Sequence, residues 1–120
     1  MMNMIMYIAN DLRHIEGMIN VWTKAGVRNL TILDSVGLQE AVASGTAAKS
    51  TVFPSMARML RKHRTPSRTI FSIIDDDEIL NKAVSESNAF TNDFADPESG
   101  VLLVLPVAQA HGLDKNINAL

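Results

Sequence analysis

The sequence predicts an α+β domain, a ferredoxin-like βαββαβ sandwich with a long loop between strands 2 and 3. Three observations carry that reading. Two stretches each pass from an apolar strand to a helix with an apolar stripe, then to a second strand. Two such halves build four antiparallel strands with both helices on one face. A long excursion rich in Ala, Ser and Thr separates the halves, and 120 residues is the usual size of one domain.

Met1 to Ala9 is apolar apart from Asn3 and is bounded by Asn10-Asp11, which reads as a buried first strand. Asn10 is the expected N-cap of a helix whose stripe is Leu12, Ile15, Met18, Ile19 and Trp22. Lys24 suits its last turn, and Gly26 suits the position after its end. Val27 to Asp34 is the expected second strand. Ser35 to Ser67 is the excursion, with Gly37, Gly45, Pro54 and Pro66 as punctuation and a short helix expected around Phe53 to Leu60. Thr69 to Ile74 is the third strand. Asp75 to Asp77 are placed to cap a second helix with Ile79, Leu80, Ala83, Val84 and Phe90 as its stripe. Asp96 to Gly100 is a turn. Val101 to Val107, apolar throughout, reads as a central fourth strand closed by Pro106. The domain is thus assigned to residues 1–112, with the excursion at 35–67 and a C-terminal tail at 113–120.

Composition narrows the class. Hydrophobic residues make up 47% and charged residues 20%, which argues against a disordered chain. With no cysteine, a disulfide scaffold, a thiolate metal site and a cysteine nucleophile are all excluded. No apolar run approaches the roughly 20 residues of a membrane span, and the apolar first nine residues lack a basic region and cleavage site. A cytoplasmic location is the expectation. No nucleophile elbow, H-E-x-x-H, Walker or Rossmann pattern occurs, so the reading is a non-enzyme without a cofactor.

Net charge is only -2, but its distribution is uneven. Ala41 to Ile74 holds no acidic residue and carries Lys49, Arg58, Arg61, Lys62, Arg64 and Arg68, six of the eleven basic residues. Asp75-Asp76-Asp77-Glu78 follows at once. The basic run is either an anion clamp or a solvated helix face offsetting the acids. Scarce aromatics and negative net charge count against nucleic acid. The acids either hold a hard cation or cap the helix, and capping is the simpler reading. His14, His63 and His111 lack zinc spacing, and His14 is expected at the surface.

Specific residues narrow the choice among βαβ-repeat families. Ala25-Gly26-Val27-Arg28-Asn29-Leu30-Thr31-Ile32-Leu33-Asp34-Ser35-Val36-Gly37 resembles the second-strand signature of the nitrogen regulatory PII signal-transduction proteins. In that signature a glycine ends the helix, the strand carries a buried threonine, and a glycine opens the long T-loop. Ser99-Gly100-Val101-Leu102-Leu103-Val104-Leu105-Pro106-Val107 is similar to the PII strand that follows the B-loop. Spacing matches over most of Met1 to Gly112. The chain therefore resembles a divergent PII-like protein.

The resemblance implies a homotrimer with a small anionic ligand or nucleotide in clefts between subunits. It also implies a partner protein contacted through the loop at 35–67. By position, Thr31 and Gly37 would lie beside the base, and Glu98 to Val101, with Gly100, would form the phosphate-binding B-loop. Glu98 and Val101 stand where the family has a glycine and a lysine, and Gly112-Leu113-Asp114 stands where it has arginines. Arg58, Arg61, Arg64 and Arg68 are the candidate replacements, since guanidinium forks suit phosphate and carboxylate. A CutA-type metal-tolerance trimer, of related fold, and a ligand-free interaction module are the alternatives. The metal ligands and aromatic-rich strands of CutA are poorly represented here.

Overall fold

The structure, a computed structural model, describes residues 1–37 and 65–113. In chain order it contains β1 (Asn3–Ala9), α1 (Leu12–Ala25), β2 (Thr31–Gly37), β3 (Thr65–Ile74), α2 (Asp77–Phe90), a 3-10 turn (Pro97–Ser99) and β4 (Val101–Pro106). The four strands form one sheet in the order β2-β3-β1-β4, with every neighbouring pair antiparallel. This is the ferredoxin-like α+β arrangement that the element order predicts.

Both helices pack side by side on one face of the sheet. Ile5, Tyr7, Ala9, Ile70 and Ile74 point from the strands into a core completed by Ile15, Met18, Trp22 and Ala25 of α1 and Ala83 of α2. The indole N–H of the fully buried Trp22 donates to Ser87 Oγ at 2.9 Å, and that hydroxyl donates to the Ala83 carbonyl at 2.6 Å. Ser87 thus satisfies the one polar atom that Trp22 brings into the interior.

Local chemistry fixes the helix ends. Asp11, one residue after the expected Asn10, is the N-cap of α1, accepting from the Arg13 N–H at 2.8 Å. At the other end Gly26 has φ 105°, a left-handed conformation that glycine adopts without a Cβ penalty. Its N–H reaches the Thr23 carbonyl, and that of Val27 reaches the Trp22 carbonyl, the paired bonds of a Schellman motif. Val27 is therefore buried as part of the helix stop and does not belong to β2, which begins only at Thr31. Asp76 caps α2, accepting from the N–H groups of Glu78 and Ile79.

Further expectations need correction. β3 begins at Thr65, four residues before the expected start. Leu12 is exposed instead of joining the α1 stripe, and His14 is only partly exposed, with its Nδ1 buried. β4 lies at a sheet edge and not at the centre, and most of its apolar side chains are exposed. The short helix expected around Phe53 to Leu60 lies outside the described residues.

Candidate functional site

Strand register sorts the sheet into two faces. Met6 pairs with Phe71 and Leu103, and Phe71 with Thr31, so these side chains share the face opposite the helices. Met4, Ile8, Ile73, Leu33, Val101 and Leu105 lie on the same face by alternation. No described element covers it. Leu103 and Leu105 are each 41% exposed, Leu33 51% and Val101 52%, while the three β1 side chains are half-buried among their neighbours. At the β2–β3 end of this face, Ser35 Oγ and Ser67 Oγ are 2.6 Å apart, and Thr69 Oγ1 donates to Ser35 Oγ at 3.2 Å.

Two hollows flank the sheet. The first, about 520 Å³, lies where β1 ends and α1 begins, and is lined by Ala9, Asn10, Leu12, Ile15, Asp34, Ser35, Pro66, Ser67 and Arg68. Arg68 and Asp34 face each other across β2 and β3, with Nε 3.3 Å from Oδ1. The second, about 550 Å³, lies between the C-terminal end of α1 and the start of α2. Val27, Phe71, Ile73 and Ile79 form apolar wall there, Thr31, Asn29 and Arg28 add polar groups, and Asp75 and Asp76 stand at the helix start. The hollows share no lining residue.

A turn closes over the C-terminal end of β1. Its chain enters through Asn92, Asp93 and Phe94, three successive left-handed residues with φ of 53°, 55° and 57°. Such a conformation costs a non-glycine residue about 1–2 kcal/mol. Phe94 packs on the core, its ring 6.4 Å from that of Tyr7. Asp96 then caps the 3-10 turn by accepting from the Glu98 N–H at 2.9 Å. The buried Tyr7 hydroxyl donates to the Ser99 carbonyl, tying the turn to β1. Burial, reinforced by the negative charge of Asp11, pushes the Tyr7 phenol up, so it stays a protonated donor. Gly100 has φ 92° and ψ -166°, and a Cβ there would come within 2.5 Å of the Ile8 carbonyl oxygen. Glycine is required at this junction.

The predicted site residues fall in different places. Thr31 opens β2 and lines the second hollow. Arg68 lines the first, on the helix face, and is half-exposed. Gly37 closes β2 opposite Thr65, six residue steps along the strand from Thr31, or about 20 Å. Gly100 and Val101 stand beside the C-terminal end of β1, Val101 pairing with Ile8. Arg58, Arg61 and Arg64 lie outside the described residues. Sequence reasoning passed over Asp34 and Asn10 as site residues. Asp34 was legible as an acid in strand 2 on the face opposite Leu33. Among the described residues no three His, Asp or Glu side chains come together as a metal set, and no helix is long and apolar enough to cross a membrane.

No protein-family model and no curated protein matches the sequence. Solved structures do. The ATP complex of B. subtilis GlnK superposes with a TM-score of 0.58 at 14% identity, covering 99% of this chain and 95% of that one. Another structure of B. subtilis GlnK gives 0.56 at 13%, covering 99% and 98%. Arabidopsis thaliana PII bound to citrate gives 0.52 at 16%, covering 88% and 77%. At such identities the likeness establishes the fold, and this chain has the PII-like fold.

Proposed function

We propose that this chain is a PII-like regulator, not an enzyme, that assembles as a homotrimer in the cytoplasm. It binds a small anionic ligand or nucleotide in clefts between subunits and acts on a partner protein through the connection between β2 and β3, the expected 35–67 excursion less its two ends, which are strand. The domain proper is residues 1–112, followed by the tail at 113–120. The observation that carries the reading is the separation of the site residues. Thr31 and Arg68 lie on opposite faces of one sheet and in different hollows, and Thr31 and Gly37 are about 20 Å apart. Within one chain these groups cannot surround one small ligand. Two chains can bring them together, the second hollow of one subunit facing the first hollow and the Asp96 to Gly100 turn of its neighbour.

The apolar face that no described element covers supports assembly, because a single-chain domain seldom leaves so continuous an apolar surface in water. Burying it among three copies also shelters β4, an edge strand that otherwise exposes apolar side chains on both faces. The ATP and citrate held by two proteins of this fold make those compounds the first probes. Arg58, Arg61, Arg64 and Arg68 supply the cationic charge that Val101 and Glu98 do not.

Sedimentation equilibrium combined with calorimetric titration of ATP and citrate tests the reading. The expected result is a trimer binding one of the probes, with affinity lowered by the combined R58A, R61A and R64A substitution. A monomer at micromolar concentration, or full binding by the triple variant, overturns the assembly or the clamp respectively.

A further inference from the structure

Among the described residues, the charges lining the first hollow are those of Asp34 and Arg68. Their contact is loose. Nε sits 3.3 Å from the carboxylate, against roughly 2.7–2.9 Å for a tight charge-assisted hydrogen bond, and the Asp34 side chain is 89% exposed. An ion pair so open to water holds its partners weakly, and Asp34 can turn into solvent at little cost. Arg68 is held better, since its stem leaves β3 opposite the buried Ala9.

We infer that Asp34 is a built-in competitor: its carboxylate occupies the guanidinium of Arg68 until an anionic group of the ligand enters the hollow and displaces it. The inference rests on the reading that the cleft takes an anionic ligand, and it names the residue that sets affinity for it. A group able to engage the guanidinium at two points, a carboxylate or a phosphate, replaces one long contact with a bidentate pair. Chloride and other single-point anions gain much less, so Asp34 also acts as a filter for forked anions. Released Asp34 stays near the bound anion and repels it, which keeps the ligand exchangeable.

The test is calorimetric titration of citrate, with ATP as a separate arm, into the full chain and its D34N, R68A, R68K and D34N/R68A variants. Circular dichroism melts establish that each is folded. D34N is expected to bind the probe about 2- to 5-fold more tightly, the range of an exposed ion pair. R68A is expected to bind roughly 10-fold or more weakly, because a charged hydrogen bond is lost, with R68K between. In D34N/R68A the gain from D34N disappears, since the competitor acts only through Arg68. If R68A weakens binding while D34N leaves it unchanged or weaker, Arg68 binds ligand without competition and the inference is overturned. Equal affinity in all five proteins also overturns it but leaves ligand binding by the protein intact. Binding of neither probe by any of them overturns the cleft reading itself.

Discussion

Leu103→Asp places a carboxylate on the edge strand of the sheet face that no described element covers. Fully burying a leucine side chain stabilises by about 1.5–3 kcal/mol, and Leu103 is 41% exposed in the single chain. Covering the remainder in an assembly thus contributes about 0.6–1.2 kcal/mol per subunit, or about 2–4 kcal/mol across three by symmetry. The substitution removes that gain and replaces it with desolvation of a carboxylate, at several kcal/mol per ion and again three times. The isolated fold suffers much less, because the position is exposed on an edge strand and loses at most about 1 kcal/mol of strand preference. Light scattering at micromolar concentration should therefore report a folded monomer near 13.1 kDa for L103D and a trimer for the parent and for L103M. A circular dichroism melt distinguishes dissociation from unfolding. If L103D keeps the trimer mass, this face is not the interface and the reasoning fails.

Three further outcomes follow from local chemistry. Gly100→Ala should destabilise the fold by about 1–3 kcal/mol from its backbone conformation alone, with more from the clash at Ile8, measured by urea denaturation; a neutral result means the turn is not held as described. Ser87→Ala leaves the Trp22 N–H buried without a partner and should cost about 1–3 kcal/mol, less about 0.5 kcal/mol of helix propensity, whereas an unchanged midpoint implies that water replaces the hydroxyl. Hydrogen bonds from Arg13 hold the Asp11 carboxyl below its ordinary range, so its contribution is present above about pH 4 and is lost as pH falls through the lower, folded value. Asp11→Asn, still a good cap, should flatten the acid side of the stability–pH curve, below about pH 4, and identical curves refute the assignment.

The sequence carried most of this fold because local signals agreed with the global one. Asp76, Lys24 and Gly26 mark helix ends, and the stripes lie where the 3.6-residue period puts them except at their outer ends, where Leu12 of α1 and Phe90 of α2 are exposed. Boundaries slipped where an apolar residue served another purpose. Val27 and Leu30 read as strand, yet Val27 closes the helix end and Leu30 packs on the core before β2 begins. β4 read as central because an unbroken apolar run usually means burial on both faces. In the structure it is an edge strand, paired on one side only, and most of its side chains are exposed among the described residues. Ser87, a polar residue in the apolar stripe of α2, was a legible sign of a buried hydrogen bond. Whether Thr31 and Arg68 share a site was not legible, because that depends on facing and register.

The separation of Thr31 from Arg68 has a genetic consequence. Consider a proposed trimer in which each cleft takes Thr31 from one subunit and Arg68 from the next. A chain carrying T31A and a chain carrying R68A are each defective alone, since every cleft of either homotrimer lacks one group. When the two are co-expressed and assemble in a two-to-one ratio, one cleft lacks a single group, one lacks both, and the third inherits Thr31 and Arg68 intact. Mixed assemblies therefore recover about one-third of the clefts from parents that have none. Two inactive alleles would complement each other within one cell, and joining both substitutions on one chain would abolish the rescue.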